Sequence, residues 1–223
     1  MIRKLMLVLC LLPLSALAQP FAPGTPRPGV DYEVLPTAQA TYGKGKIEVA
    51  EVFSYGCIHC FHFQPIVNTW KKTMPADVRW EYVPAAFGGP FDNFARAFLA
   101  AQIMGVQPKT HDAVFKAVFV DHMIKSAAPE ELADMYAKLG VDRAKFLNTI
   151  NGADVTAKFA QARDFSLRTG ISGTPTIVIN GKYRVDGNNP GGLEGIFKTV
   201  DFLIAAERNL AAQAKAGKSP AKK

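Results

Sequence analysis

Cysteine is scarce in this chain, three residues in 223, and no stretch beyond the N-terminal end approaches the run of about 20 apolar residues that a membrane-spanning helix needs. The first shortage leaves too few thiols for a zinc centre built from cysteine alone. The second excludes an internal transmembrane helix. No internal repeat is present either.

What is present begins with an export pattern. Arg3 and Lys4 give a basic start, Leu5 to Leu14 a short apolar run, and Ala16-Leu17-Ala18 a small-x-small site, which predicts a signal peptide over residues 1–18 cleaved before Gln19. Cys10 lies inside it, without the small residues that precede a lipidated cysteine, and is expected to leave with the signal. The product is then expected in an oxidising compartment that permits disulfides. Cleavage removes two of the 26 basic residues and none of the 19 acidic ones, so the product stays basic, partly through Lys215 to Lys223. That end, residues 213–223, reads as a solvated disordered tail and not as a nucleic-acid patch.

Residues 19–31 are rich in proline and glycine and read as an arm with too few apolar groups to pack. Ile47 to Phe53 is rich in β-branched residues and reads as a strand ending at Ser54-Tyr55-Gly56. From Cys57 to about Thr73, the residues Cys60, Phe63, Val67, Trp70 and Met74 recur at spacings of three and four, which predicts a helix with Cys60 on its buried side and a kink at Pro65. Val78 to Val83 alternates like a second strand. Between Phe87 and Gly170 the period is helical throughout, with Pro129 suited to a first turn, Asp142 to a cap, and Gly105 and Gly140 to helix ends. Thr176 to Ile179 and Tyr183 to Val185 then flank Asn180-Gly181-Lys182 as an antiparallel hairpin. A last helix is predicted over about Leu193 to Ala212.

The chemistry lies in Cys57-Ile58-His59-Cys60. A strand delivering Cys-x-x-Cys to the first turn of a helix places one sulfur beside unpaired backbone N–H groups and the positive end of the helix dipole, and both stabilise a thiolate. Cys57, at the exposed tip, is the candidate nucleophile and Cys60 the resolving partner. The His59 imidazole can donate to the Cys57 thiolate, which favours the reduced form and makes the disulfide more oxidising. Glu51 shares strand parity with Ile47, Val49 and Phe53, so its carboxyl falls on an apolar face beneath the pair, with a raised pKa expected; it is a candidate proton relay, or a carboxylate satisfied by a neighbour. His62 reads as a surface position on the helix.

Other readings of the pair stay open at this point. A structural disulfide across so short a loop would add little stabilisation. Half of a zinc site would need His111 or His122. Haem attachment is excluded, because Phe61 stands where Cys-x-x-Cys-His needs histidine.

The run Glu51 to Cys60, the helical block, and Gly173-Thr174-Pro175 leading into Thr176 to Tyr183 together resemble the DsbA family of periplasmic thiol:disulfide oxidoreductases, over about residues 32–212. The resemblance implies an α/β thioredoxin fold with an inserted helical domain: residues 32–87 and 171–212 the thioredoxin-like part, residues 88–170 the insertion. It implies periplasmic location, no cofactor beyond the redox-active Cys57–Cys60 disulfide, no metal, a monomer, reduced exported proteins as substrates and a DsbB-type quinone-linked membrane protein as re-oxidant. Pro175 matches the family's cis-proline, with Thr174 and Ile58 beside it as substrate-binding positions. The tetrapeptide departs from the commoner Cys-Pro-His-Cys by carrying Ile58, and Gln64 stands where some relatives have a second acid. A disulfide isomerase or reductase on the same fold, or a non-catalytic zinc- or peptide-binding module, are the competing readings. Isomerases of the DsbC type carry a dimerisation domain for which the stretch from Gln19 to Ile47 is too short.

Overall fold

The computed structural model describes residues 24–217; the predicted signal peptide, the start of the arm and the end of the basic tail lie outside the described residues. The elements run β1 (Glu33–Val34), β2 (Ile47–Phe53), α1 (Ile58–Lys71), β3 (Val78–Pro84), α2 (Pro90–Ile103), α3 (Gln107–Phe119), α4 (Pro129–Lys138), α5 (Arg143–Ile150), α6 (Ala153–Arg168), β4 (Thr176–Ile179), β5 (Tyr183–Asp186) and α7 (Gly192–Ala216). This is the expected α/β order, with five consecutive helices between the second and third long strands. The strands form one sheet in the order β1-β5-β4-β2-β3, in which only β2 and β3 are parallel.

β2 is an interior strand between β4 and β3, and six of its seven residues are buried because helices cover both faces. On one face Ala50, Val52, Val83 and Val178 pack against Ala162 and Phe165 of α6. On the other, Val49 and Phe53 join the main core with Phe63 and Val67 of α1, Phe98 of α2, Phe115 of α3 and Val200 of α7. Strand parity therefore turns Glu51 toward α1, as its neighbours predict. Glu48, on the opposite parity, is fully buried and accepts from the Tyr42 and Gly43 N–H groups at 2.8 and 2.7 Å and from Arg79 at 2.6 Å, so the segment ahead of β2 is tied to the sheet by a satisfied carboxylate.

The local stops fall where the residues place them. Asp142 caps α5 by accepting from the Lys145 N–H at 2.8 Å, and Pro129 opens α4. The β4–β5 turn uses positive φ at Asn180 (49°) and Gly181 (63°), and a Cβ at Gly181 would lie 2.1 Å from the Gln39 carbonyl oxygen. Pro65 sits inside α1 without ending it.

Three features differ from the sequence reading. α7 continues to Ala216, so the tail expected from residue 213 begins at least four residues later; Ala-Ala-Gln-Ala-Lys-Ala, residues 211–216, is built of strong helix formers. The arm does pack in its described part: Pro26 is buried, and Asn189 Nδ2 donates to the Asp31 carbonyl at 3.0 Å, so polar capture supplies what apolar burial does not. The two residues of β1 pair with β5 and were not legible as a strand.

Candidate active site

The turn Ser54-Tyr55-Gly56 leads from β2 into α1, and the Cys57 N–H donates to the Ser54 carbonyl at 3.1 Å. Cys57 is the N-cap of α1, with extended φ of −102° and ψ of 114°, and its Sγ accepts from the Cys60 N–H at 3.3 Å. A sulfur thus occupies the place where an N-cap oxygen would satisfy an orphan amide. The Cys57 thiol is pulled down to about 5, chiefly because the Cys60 S–H donates to its thiolate; burial opposes this, and the Thr174 side chain and the N–H groups of Cys60 and His59 reinforce it. A thiol at that value is about 99% ionised at pH 7, against about 3% for an unperturbed cysteine. When protonated, Cys57 donates to the Thr174 carbonyl at 3.2 Å.

Cys60 is the electrostatic opposite. It is fully buried, and burial first, then Cys57 and the charge of Glu51, push its thiol well above the ordinary range. Both cysteines are unbridged here. Cys57 is less exposed than its position at the motif tip suggests, at 9%, because Thr174 and the Thr174–Pro175 cis peptide lie over it. It nonetheless remains the only one of the two sulfur-bearing residues with any exposed surface.

Glu51 lies beneath the pair, 1% exposed, and its Oε2 has no hydrogen-bond partner. Burial raises its carboxyl to about 8; Lys71 pulls it down and the Cys57 thiolate pushes it up. Lys71, at the last turn of α1, is half-buried with its Nζ 4.9 Å from the Tyr82 ring centre, and burial lowers its pKa while Glu51 and Asp112 hold it up. The sequence reading missed Lys71. A buried acid asks for a nearby cation, but nothing in the residue pattern distinguishes Lys71 from Lys72 as its source.

His59 is placed differently from expectation. Its side chain is exposed and makes no hydrogen bond to the Cys57 sulfur among the described residues; its backbone N–H is the group that favours the thiolate. The helix start explains this, since the N–H groups of N1 to N3 converge on the cap while the side chains of N1 and N2, Ile58 and His59, turn outward and that of N3, Cys60, turns into the core. The imidazole instead lines a cavity of about 520 Å³ with Thr174, Pro175, Arg184, Asp186 and Leu193. No phenylalanine of the helical block borders that cavity, whose lining mixes polar and apolar groups. Ile58 is 41% exposed, and His62 is exposed as predicted.

Among the described residues no three histidine, cysteine or acidic groups converge to hold a metal ion. His111 is engaged elsewhere, between the Tyr55 hydroxyl and Gln64. No helix among the described residues is long and apolar enough to cross a membrane.

Comparison with known proteins agrees with this geometry. Residues 48–193 match the model of the DSBA-like thioredoxin domain. The thiol:disulfide interchange protein DsbA of Azotobacter vinelandii is 39% identical over 196 residues, covering 88% of this chain and 91% of that protein; its namesake from Pseudomonas aeruginosa PAO1 is 41% identical over 180 residues, covering 81% and 85%. Among solved structures, Pseudomonas aeruginosa DsbA superposes with a TM-score of 0.78 at 41% identity over 82% of this chain and 95% of that one, and the oxidoreductase DsbA from Xylella fastidiosa with 0.78 at 40% over 82% and 98%. Strand order, helical insertion, Cys-x-x-Cys at a helix cap and a cis-proline facing it are features of one lineage, and the chain belongs to the DsbA family of thioredoxin-fold proteins.

Proposed function

We propose that the chain is a dithiol oxidase that passes the Cys57–Cys60 disulfide to reduced proteins exported to the periplasm. The observation that carries this reading is the asymmetry of the two sulfurs: a thiolate held at about 5 on Cys57 and a sealed, high-pKa thiol at Cys60. In the oxidised enzyme a client thiolate attacks the Cys57 sulfur, the S–S bond breaks, and its electron pair goes to Cys60, which takes up a proton. A second client thiolate then attacks the client sulfur of the mixed disulfide, and Cys57 leaves as a thiolate. The client loses two electrons and gains a disulfide; the enzyme gains the two electrons. A low leaving-group pKa at Cys57 speeds that last step.

Glu51 is positioned to take the Cys60 proton when the disulfide is re-formed, and Lys71 to balance the charge. Thr174, Pro175, Ile58 and the exposed face of His59 are the surfaces a client strand meets. Re-oxidation falls to a DsbB-type membrane partner, and no organic cofactor, metal or nucleic acid enters the cycle. The monomer is taken to divide at about residues 88 and 170, with the intervening helices folding over the redox helix.

Replacing Cys57 by serine is expected to abolish oxidation of a model dithiol peptide; retained turnover would end this reading. Equilibration with glutathione separates oxidase from reductase, since a potential below about −220 mV would mark a reductant.

A further inference from the structure

A chain of buried polar groups runs from the active-site turn into the helical insertion. The Tyr55 hydroxyl lies 2.8 Å from His111 Nδ1, and His111 Nε2 lies 3.2 Å from Gln64 Oε1. Gln64 Nε2 donates to Asn68 Oδ1 at 3.1 Å and reaches the Tyr82 hydroxyl at 3.1 Å, and Asn68 Nδ2 donates to Asp112 Oδ2 at 2.8 Å. Tyr55, His111 and Gln64 are 1%, 4% and 5% exposed.

Its direction follows from its outer end. An ionised carboxylate only accepts, so Asp112 fixes Asn68 with Nδ2 outward and Oδ1 inward. Asn68 Oδ1 in turn requires Gln64 Nε2, which leaves Gln64 Oε1 facing His111. His111 must then carry its proton on Nε2 and accept from the Tyr55 hydroxyl at Nδ1. The ring stays neutral at working pH because burial, aided by Lys71, pulls it down to about 3.

The two partners of His111 flank the redox pair. Tyr55 lies two residues before Cys57, in the turn whose Ser54 carbonyl holds the Cys57 N–H, and its ring is wedged edge-on against Phe53 and Phe115. Gln64 lies one turn beyond Cys60 on the buried side of α1. A single side chain from α3 therefore grips both the entry to and the exit from the Cys57–Cys60 segment. Resting on the oxidase reading, we propose that His111, as the neutral Nε2–H tautomer, is a positioning residue that clamps the Tyr55 turn and the redox helix to the helical insertion, and so holds the Cys57 sulfur against the Cys60 N–H.

The test compares His111→Leu, His111→Asn and Tyr55→Phe with the parent protein, reading Cys57 ionisation at 240 nm and the equilibrium constant with glutathione. The leucine and phenylalanine variants should raise the Cys57 pKa by roughly half a unit to one unit and lower the glutathione constant by about three- to tenfold. Asparagine, whose side-chain oxygen can accept from Tyr55, should restore most of both. Unchanged Cys57 ionisation in folded Tyr55→Phe overturns the proposal whatever happens to the melting temperature, and it does so even if the leucine variant fails to fold. A parent protein with a low Cys57 pKa but no dithiol oxidation would instead count against the oxidase reading alone.

Discussion

At the scale of single residues, the site works by making two chemically identical side chains unlike. Cys57 is stabilised as an anion by donors, and Cys60 is denied ionisation by burial and by two neighbouring negative charges. Glu51 completes the set, because a carboxyl raised to about 8 next to a reluctant thiol can receive its proton. Glu51→Gln is therefore expected to slow attack of Cys60 on a mixed disulfide at Cys57 by about 10²-fold. The rate of Cys57 alkylation should change little. Stopped-flow resolution of a preformed mixed disulfide measures the first and iodoacetamide kinetics the second; equal slowing of both would remove Glu51 from the relay.

At the scale of elements, the start of α1 decides the chemistry and also explains what the tetrapeptide can tolerate. Ile58 is the N1 residue, and the amides that favour the thiolate belong to His59 and Cys60. Proline is suited to N1, where its missing N–H is not required, and it restricts the preceding residue to the extended region Cys57 already occupies. Ile58→Pro should thus leave Cys57 ionisation within about half a pKa unit of the parent while changing rates with client peptides, since a 41% exposed apolar side chain is lost from the client-facing side. A shift of a full unit at 240 nm would show that the ring acts on the thiolate itself.

The elements were also the most legible part of the sequence. Cys60, Phe63, Val67 and Trp70 lie on one buried stripe because period and burial share a cause, and Asn180-Gly181 turns where positive φ is needed. Cys57, Cys60 and Glu51 each sit in a local pattern that marks them, whereas Pro175 was marked only by the family resemblance, and its cis bond is seen in the structure. His111, Tyr55, Gln64 and Lys71 were not legible as one neighbourhood: they are drawn from α1, α3 and the turn before α1, and only packing brings them together. The His59 imidazole was misplaced for the converse reason, since adjacency in the chain is not adjacency on a helix.

At the scale of the whole molecule, two titrations of opposite sign share one pH window. Cys57, lowered when folded, binds fewer protons in the native than in the unfolded state from about pH 5 up to its unfolded value, so it stabilises the reduced protein as pH rises and that stabilisation is lost as pH falls toward 5. Glu51, raised when folded, binds more, so its contribution is full below its unfolded value and is lost as pH rises toward 8. The slopes oppose each other in the reduced protein. Oxidation removes the thiol titration and leaves the carboxyl. Below about pH 6.5 the buried neutral His111 adds a rising slope in both redox forms, so the window that isolates Glu51 lies above it. Between about pH 7 and 8, denaturant unfolding of the disulfide form should show falling stability, with a flatter profile for the dithiol form and a flat oxidised profile in Glu51→Gln. A rising profile for the oxidised protein in that window would contradict the buried, unpartnered state of Glu51.

The covering of Cys60 also bears on how such a molecule ages in an oxidising compartment. A peroxide arriving from solvent meets one sulfur only, and a sulfenic acid formed there has a thiol directly behind it that can displace water and close the bridge. Injury of that kind returns the molecule to the state in which it is ready for its next client.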